Sequence, residues 1–165
     1  ELVELLGDDC RDLPLSEPFD HLVKMHRDIM NADMAKNLAH YYERGKDKMT
    51  DTICGMIEDG HKVSAVDYNT AVDGQDLLNS GLDACFDHYD IIITPATTGE
   101  APAGLEATGN PIFNTLATYC GVPSITLPLM EGPNGLPLGV QVIGPRNDDA
   151  RLLRNANWLI QRVAG

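Results

Sequence analysis

The sequence predicts an α/β protein with a mixed β-sheet flanked by helices, because the spacing of its apolar residues changes halfway along the chain. Through residues 1–88, apolar residues recur three and four positions apart, as on one face of a helix. Through residues 89–165, short apolar runs rich in β-branched residues alternate with turn sequences, as in strands. A chain of 165 residues is long enough for one hydrophobic core. We therefore expect a single domain over 1–165, mainly helical over 1–88.

The helices of the first half are predicted from their starts and stops. Small polar residues that favour the N-cap position precede two of the apolar patterns, and glycines follow two of them. The predicted helices span 19–45, 51–60 and 65–88. The first 17 residues are predicted to form a strand or a short helix followed by a linker.

Three strands are predicted in the second half, over 91–93, 124–127 and 138–143. The continuous run Ile91-Ile92-Ile93 is typical of a strand that is buried on both faces. The turn sequence 132–135 favours an antiparallel connection between the second and third strands. Asn147 or Asp148 caps a last helix.

This small sheet needs additional structure around it. A strand buried on both faces requires cover on both sides, and unpaired sheet edges are prone to aggregation. We therefore expect 1–165 to be a partial domain, with the remaining strands and helices supplied by a portion outside this chain.

Composition excludes several classes of function. The formal net charge of −13 argues against nucleic acid and anionic membrane surfaces as partners, because both bind through patches of Lys and Arg. The four cysteines form no CxxC motif, and His21 and His26 are five residues apart rather than four, so no metal site is predicted. No cofactor is predicted either. We expect free thiols and a cytoplasmic location.

The four serines do not indicate a catalytic nucleophile. Acyl transfer at a serine needs a glycine-rich turn that brings backbone N–H groups to the oxyanion, and none of Ser16, Ser64, Ser80 and Ser124 lies in one. Ser64 is explained as a helix cap, and the residues around Ser124 do not form a GxSxG elbow. No catalytic residue is therefore assigned within the chain.

Four sequence pieces in the second half carry a resemblance to a known family. They are a strand ending at Thr94-Pro95, a Gly-Val-Pro-Ser-Ile-Thr entry at 121–126, a Gly-Leu-Pro-Leu-Gly-Val-Gln-Val-Ile-Gly run at 135–144, and a capped terminal helix. In this order they resemble, over 90–163, the C-terminal part of the amidase signature family, which are Ser-Ser-Lys amide hydrolases. The resemblance implies the C-terminal portion of a fold with a large central mixed sheet between helices.

The resemblance also implies where the chemistry lies. In that family a serine attacks the amide carbonyl, and a second serine on a cis peptide relays the proton between it and a lysine. These residues lie upstream, in and before a Gly/Ser-rich stretch, and this chain has no such stretch. The resemblance therefore implies that a missing N-terminal amidase portion supplies the catalytic residues.

The predicted substrate contacts lie after a long loop. The loop 95–110 is rich in Gly, Ala, Thr and Pro, which indicates a functional or covering loop, and a short helix is predicted from Pro111 to Tyr119. In the family the segment before the Gly-x-Pro strand helps to line the substrate pocket. The resemblance thus implies candidate substrate-binding residues at Ile112, Phe113, Asn114 and Thr115. The alternative is an ordinary loop and helix packed under the sheet.

Two functions remain open from the sequence. The first is the C-terminal part of a hydrolase that cleaves the C–N amide bond of a small substrate. Its expected protein partner is the missing upstream portion, and a homo-oligomer is left open as an alternative. The second is a non-catalytic binding or interaction module descended from an amidase. The sequence pieces favour a stand-alone hydrolase of small amides over one subunit of an amidotransferase.

Overall fold

The computed structural model describes all 165 residues and confirms the predicted α/β class. The helices are α1 (Leu2–Leu6), α2 (Leu22–Gly45), α3 (Asp51–Gly60), α4 (Ala65–Phe86), α5 (Thr115–Cys120) and α6 (Asp149–Ala164). The strands are β1 (Ile92–Pro95), β2 (Ser124–Glu131) and β3 (Pro137–Ile143). Short 3-10 turns lie at Gly7–Asp9, Glu17–His21, Lys46–Lys48 and Ile112–Asn114.

The chain divides into two compact units. We call Glu17–Leu78 the helical unit, and Glu1–Ser16 together with Asn79–Gly165 the sheet unit. The single domain expected over 1–165 stays a prediction. No helix in either unit combines the length and the apolar character needed to cross a membrane.

The predicted caps begin three of the helices. The Thr50 hydroxyl accepts a hydrogen bond from the Ile53 N–H at 3.4 Å, and the Ser64 hydroxyl accepts one from the Asp67 N–H at 3.0 Å. Asp148, rather than Asn147, caps the last helix. Each cap satisfies a backbone N–H that has no partner within the helix.

The helical unit is centred on small residues. A Cβ atom built on Gly60 would lie 1.9 Å from the carbonyl oxygen of Asn31 and 2.8 Å from the Cβ of Ala35, so α3 can approach α2 this closely only with glycine there. Asn31 and Ala35 are the buried residues of α2. The apolar pattern that predicts this helix runs through Val23 and through either Tyr41 or Tyr42. Val23 and Tyr41 are exposed and Tyr42 is half-buried, so the pattern does not coincide with the most buried positions of the helix.

The sheet has the order β1-β3-β2, and both pairs are antiparallel. The flanked sheet is as predicted, but both strand pairs are antiparallel, so the three strands do not form a mixed sheet. The prediction that Ile91-Ile92-Ile93 is buried on both faces is wrong. That run lies on an edge strand, where Ile92 is buried and Ile93 is half-buried, whereas β3 is buried from Val140 to Ile143 because it has a strand on each side.

The core of the sheet unit lies between the sheet and α6. Leu152, Ala156 and Leu159 recur at four and three positions and form one face of α6, which packs with Leu127 and Val142. Gly144 lets the chain pass close to α6, since a Cβ there would lie 2.9 Å from the Cβ of Leu152. All four cysteines are free thiols, as expected.

Candidate substrate site

A cavity of roughly 540 Å³ lies where β1 ends and β3 begins. Its lining is apolar apart from three threonines and carries no charged side chain. The lining residues are Leu2, Ile93, Thr94, Pro95, Thr97, Thr98, Gly99, Phe113, Met130, Leu138, Gly139 and Val140. A cavity of this size and polarity suits a small uncharged group that is oriented by one or two hydroxyls.

The structure separates the four candidate residues into different environments. Phe113 lines the cavity, and Ile112 is exposed to solvent. Thr115 is buried, with 8% of its surface exposed. Asn114 is half-buried, and both the nitrogen and the oxygen of its side-chain amide form hydrogen bonds. Of the four, Phe113 alone is in position to touch a molecule in the cavity.

Asn114 belongs to a chain of side-chain hydrogen bonds that runs across the sheet. The Asn114 Nδ2 donates to the carbonyl oxygen of Ala96 at 3.3 Å, and its Oδ1 accepts from the Nε2 of Gln141 at 2.9 Å. The Oε1 of Gln141 accepts from the Thr94 hydroxyl at 3.0 Å. Gln141 is only 2% exposed, so these bonds satisfy a buried amide. The network ties the segment before α5 to the central strand and to the end of β1.

Glu100 holds the loop after β1 to the turn between β2 and β3. Its carboxylate accepts hydrogen bonds from the Asn134 N–H at 2.9 Å, from the Asn134 side chain and from the Leu136 N–H at 3.1 Å. The Asn134 side chain, followed by these backbone donors, lowers the pKa of Glu100. Glu100 lies directly after Gly99, which lines the cavity, so this clasp positions the cavity wall.

Sequence reasoning missed Glu100. The sequence predicts a functional or covering loop over 95–110, but it does not indicate that the carboxylate of Glu100 accepts hydrogen bonds from donors 34 to 36 residues further along the chain. The turn sequence around Asn134 indicates a hairpin and nothing about its partner. No local signal identifies such a clasp.

Ser64 and Lys62, which lie two residues apart, have different side-chain partners. Ser64 donates to the carboxylate of Asp67 at 2.6 Å, while Lys62 pairs with Asp59 at 2.7 Å. All five lysines lie between residues 24 and 62, within the helical unit, whereas Ser124 belongs to the sheet unit. No three His, Cys, Asp or Glu side chains in the chain are grouped so that they could hold a metal ion.

Comparison with known proteins identifies the family. The model of the family described as Amidase matches residues 15–153. The chain belongs to the Amidase family. The match confirms the resemblance over most of 90–163, up to residue 153, and extends it toward the N-terminus, into α2 and α3, where the sequence pieces carried little signal.

Curated relatives of this amidase-family chain include a Glutamyl-tRNA(Gln) amidotransferase subunit from each of two bacteria. The protein from Rhodopirellula baltica is 37% identical over 97 residues, which are 54% of this chain and 19% of the relative. The protein from Salinibacter ruber is 36% identical over 96 residues, 53% of this chain and 19% of the relative. The matched region is thus about a fifth of the length of these relatives.

Solved amidase-family structures share the fold over nearly the whole chain. One belongs to a vestigial protein complex related to an s-triazine catabolic enzyme, with TM-score 0.81, 18% identity, and 99% of this chain and 38% of that chain covered. Another is 6-aminohexanoate cyclic dimer hydrolase complexed with substrate, with TM-score 0.76, 21% identity and coverage of 99% and 40%. A bacterial aryl acylamidase has TM-score 0.67, 15% identity and coverage of 92% and 38%.

Proposed function

We propose that this chain is the C-terminal part of an amidase signature hydrolase that cleaves the C–N amide bond of a small substrate. The nucleophilic serine, the cis-serine and the lysine come from an upstream portion of the protein. The observation that carries this proposal is the superposition of 99% of the chain on 38–40% of solved amidase-family structures. The separate acidic partners of Ser64 and Lys62 support the same division of labour.

In this proposal the chain contributes the wall of the substrate pocket. The apolar cavity at the end of β1 receives an uncharged part of the amide, and Phe113 contacts it. Asn114 and Thr115 hold that wall in place, and Ile112 lies at its exposed side. The lack of a charged side chain in the cavity favours a neutral small amide over a glutamyl group, because this apolar wall offers no partner for the charge of a glutamyl group.

The proposal also covers the need for a cofactor, the partners and the location of the enzyme. Serine-based amide hydrolysis proceeds through an acyl-enzyme and consumes one water, so the proposed enzyme uses neither metal nor cofactor. A small amide is its substrate, the upstream portion is its protein partner, and its location is cytoplasmic. Neither nucleic acid nor a membrane is a partner.

Native mass spectrometry of the protein from its own source, with denatured masses and peptide sequencing, tests the assignment. We expect either one longer polypeptide or a companion that carries a Gly/Ser-rich stretch. A lone 18.0 kDa species would contradict the proposal and favour the non-catalytic module.

Activity measurements then test the division of labour. The 165-residue chain alone should release no amine from a panel of aryl and aliphatic amides, whereas the chain with its upstream portion should. Turnover by the isolated chain would overturn the assignment of the catalytic residues. In the active assembly, Phe113→Ala should raise KM for the substrate more than it lowers kcat, while Leu105→Ala, at a fully exposed position of the same loop region, is the matched control.

A further inference from the structure

The turn between β2 and β3 contains the only Asn-Gly pair of the chain, Asn134-Gly135. An asparagine followed by glycine loses its side-chain amide more readily than other asparagines, because glycine has no Cβ that would hinder attack by its own backbone nitrogen. Both residues are exposed to solvent. The turn therefore combines the sequence and the access of water that this reaction requires.

The reaction needs no catalyst and consumes one water. The backbone nitrogen of Gly135 gives up its proton and bonds to the side-chain carbonyl carbon of Asn134, and the amide nitrogen leaves as ammonia. Water then opens the cyclic imide at one of its two carbonyl groups. One opening yields aspartate, and the other yields isoaspartate, in which the backbone runs through the side chain and is one carbon longer. The net change replaces an amide by a carboxylate.

Two hydrogen bonds of the folded chain oppose this cyclisation. The Nδ2 of Asn134 donates to the carboxylate of Glu100, and the Gly135 N–H donates to the Gly132 carbonyl at 3.0 Å. The side chain must leave Glu100, and the Gly135 nitrogen must leave Gly132, before the two can react. Hydrogen bonds to a charged acceptor are among the stronger ones in proteins. The rate of amide loss therefore depends on how often the Glu100 clasp opens.

The product of the reaction cannot re-form the clasp. An ionised carboxylate only accepts hydrogen bonds, as does ionised Glu100, so the product lacks the donor that Nδ2 supplies. Two carboxylates that share a site also repel each other. A third is close by, since a Cβ built on Gly135 would lie 3.8 Å from the Oε1 of Glu131. At neutral pH the conversion thus replaces a donor by a like charge where the loop is held.

We propose that Asn134 is a site of spontaneous deamidation that Glu100 restrains, and that the conversion releases the loop 95–110 irreversibly from the turn between β2 and β3. The inference does not rest on the proposed function, because it follows from contacts between two segments of this chain. It bears on the candidate cavity, because Gly99 lies next to Glu100 and lines it. The conversion therefore alters the cavity wall without changing a residue that lines the cavity.

Peptide mapping by mass spectrometry measures the amide loss at each asparagine after the purified protein is incubated in mildly alkaline buffer. Glu100→Ala should speed the loss at Asn134 about tenfold or more, because the acceptor that holds Nδ2 is removed. Glu106→Ala, in the exposed part of the same loop, should leave this rate unchanged. Asn157, exposed on α6, should keep its amide in every variant, and circular dichroism reports whether each variant is folded. An Asn134 that keeps its amide as Asn157 does in the folded Glu100→Ala variant, or equal rates with and without Glu100, would overturn the inference.

A second pair of variants tests the consequence of the conversion and does not depend on Glu100→Ala being folded. Asn134→Asp reproduces the aspartate product, and Asn157→Asp makes the same change of charge on the exposed face of α6. The readout is the exchange protection of the Leu136 amide, which donates to Glu100 at 3.1 Å. We expect Asn134→Asp to lower this protection about tenfold at neutral pH and Asn157→Asp to leave it unchanged. Equal protection of Leu136 in Asn134→Asp and in the unaltered protein would overturn the release of the loop.

Discussion

The helical unit and the sheet unit are each stabilised internally by a different kind of packing. In the helical unit, α2 and α3 meet where Gly60 lacks a side chain, and the contact buries Asn31 and Ala35. In the sheet unit, long aliphatic side chains from β2, β3 and α6 fill a continuous core. One contact depends on the absence of a side chain, and the other on the volume of many side chains.

This difference has a consequence for how each unit tolerates change. A large core loses stability when a side chain is shortened, because a cavity remains. A close backbone contact loses stability when a side chain is added, because the packed interior cannot expand locally. The sheet unit is therefore tested by shortening a core side chain, and the helical unit by adding a side chain at the close contact. Each unit also offers an exposed or uncrowded position of the same residue type as a control.

The largest effect is expected from Leu159→Ala in the sheet unit. Leu159 is 0% exposed in the core between α6 and the sheet, so its truncation should lower the free energy of unfolding by about 2–5 kcal/mol. Urea denaturation measures this change. Leu153→Ala, on the exposed face of the same helix, should change stability by less than about 0.5 kcal/mol. Equal effects at the two positions would contradict the assigned packing face.

Gly60→Ala should break the contact of the helical unit. The added methyl group would lie 1.9 Å from the carbonyl oxygen of Asn31, and relief requires α2 and α3 to separate. We expect a loss of about 1–3 kcal/mol in urea denaturation. Gly55→Ala in the same helix meets nothing within 4 Å and should instead gain up to about 1 kcal/mol in helix propensity. Opposite signs would confirm the close approach, and a neutral Gly60→Ala would refute it.

Gln141→Leu tests the buried hydrogen-bond network within the largely apolar core of the sheet unit. The substitution leaves the Oδ1 of Asn114 without its donor, and it leaves the Thr94 hydroxyl with the Pro95 carbonyl as its remaining acceptor. We expect a loss of about 1–3 kcal/mol, measured by urea denaturation. Gln161→Leu on the exposed side of α6 is the control and should be near neutral. A stabilised Gln141→Leu variant would show that the network is dispensable.

The smallest effect on global stability is expected for Glu100→Gln, because it changes only the contact between the loop 95–110 and the turn between β2 and β3. Its pKa is lowered in the folded chain by donors from Asn134 and Leu136, so the clasp contributes stability above the ordinary pKa of glutamate, which is lost as the pH falls through the depressed value. The protection factors of the Asn134 and Leu136 amides, which are corrected for the intrinsic exchange rate at each pH, should therefore fall on acidification below the ordinary range. Glu100→Gln should lower these protection factors at neutral pH and remove their change with pH. Glu106→Gln, in the exposed part of the loop, is the control.

Part of the candidate site is predictable from local sequence, and part depends on contacts between distant segments of the chain. Phe113 follows from a resemblance in local sequence and lies in the cavity wall. The role of Asn114 as a tie rather than a free contact depends on Gln141, which is 27 residues away. The Glu100 clasp also joins distant segments. Single-sequence patterns cannot supply such pairings, because periodicity and turn chemistry report only on near neighbours.

Patterns in the amino-acid sequence are sufficient to predict the class of the fold, most helix starts and stops, the three strands and the family. These features depend on backbone propensity, capping and periodicity, which act over a few residues. Packing between distant segments makes β3 rather than β1 the central strand, buries Asn31 and Ala35 on α2, and leaves β1 at an edge of the sheet. These outcomes depend on which segments meet across the chain, and long-range packing overrides local preference at each of them.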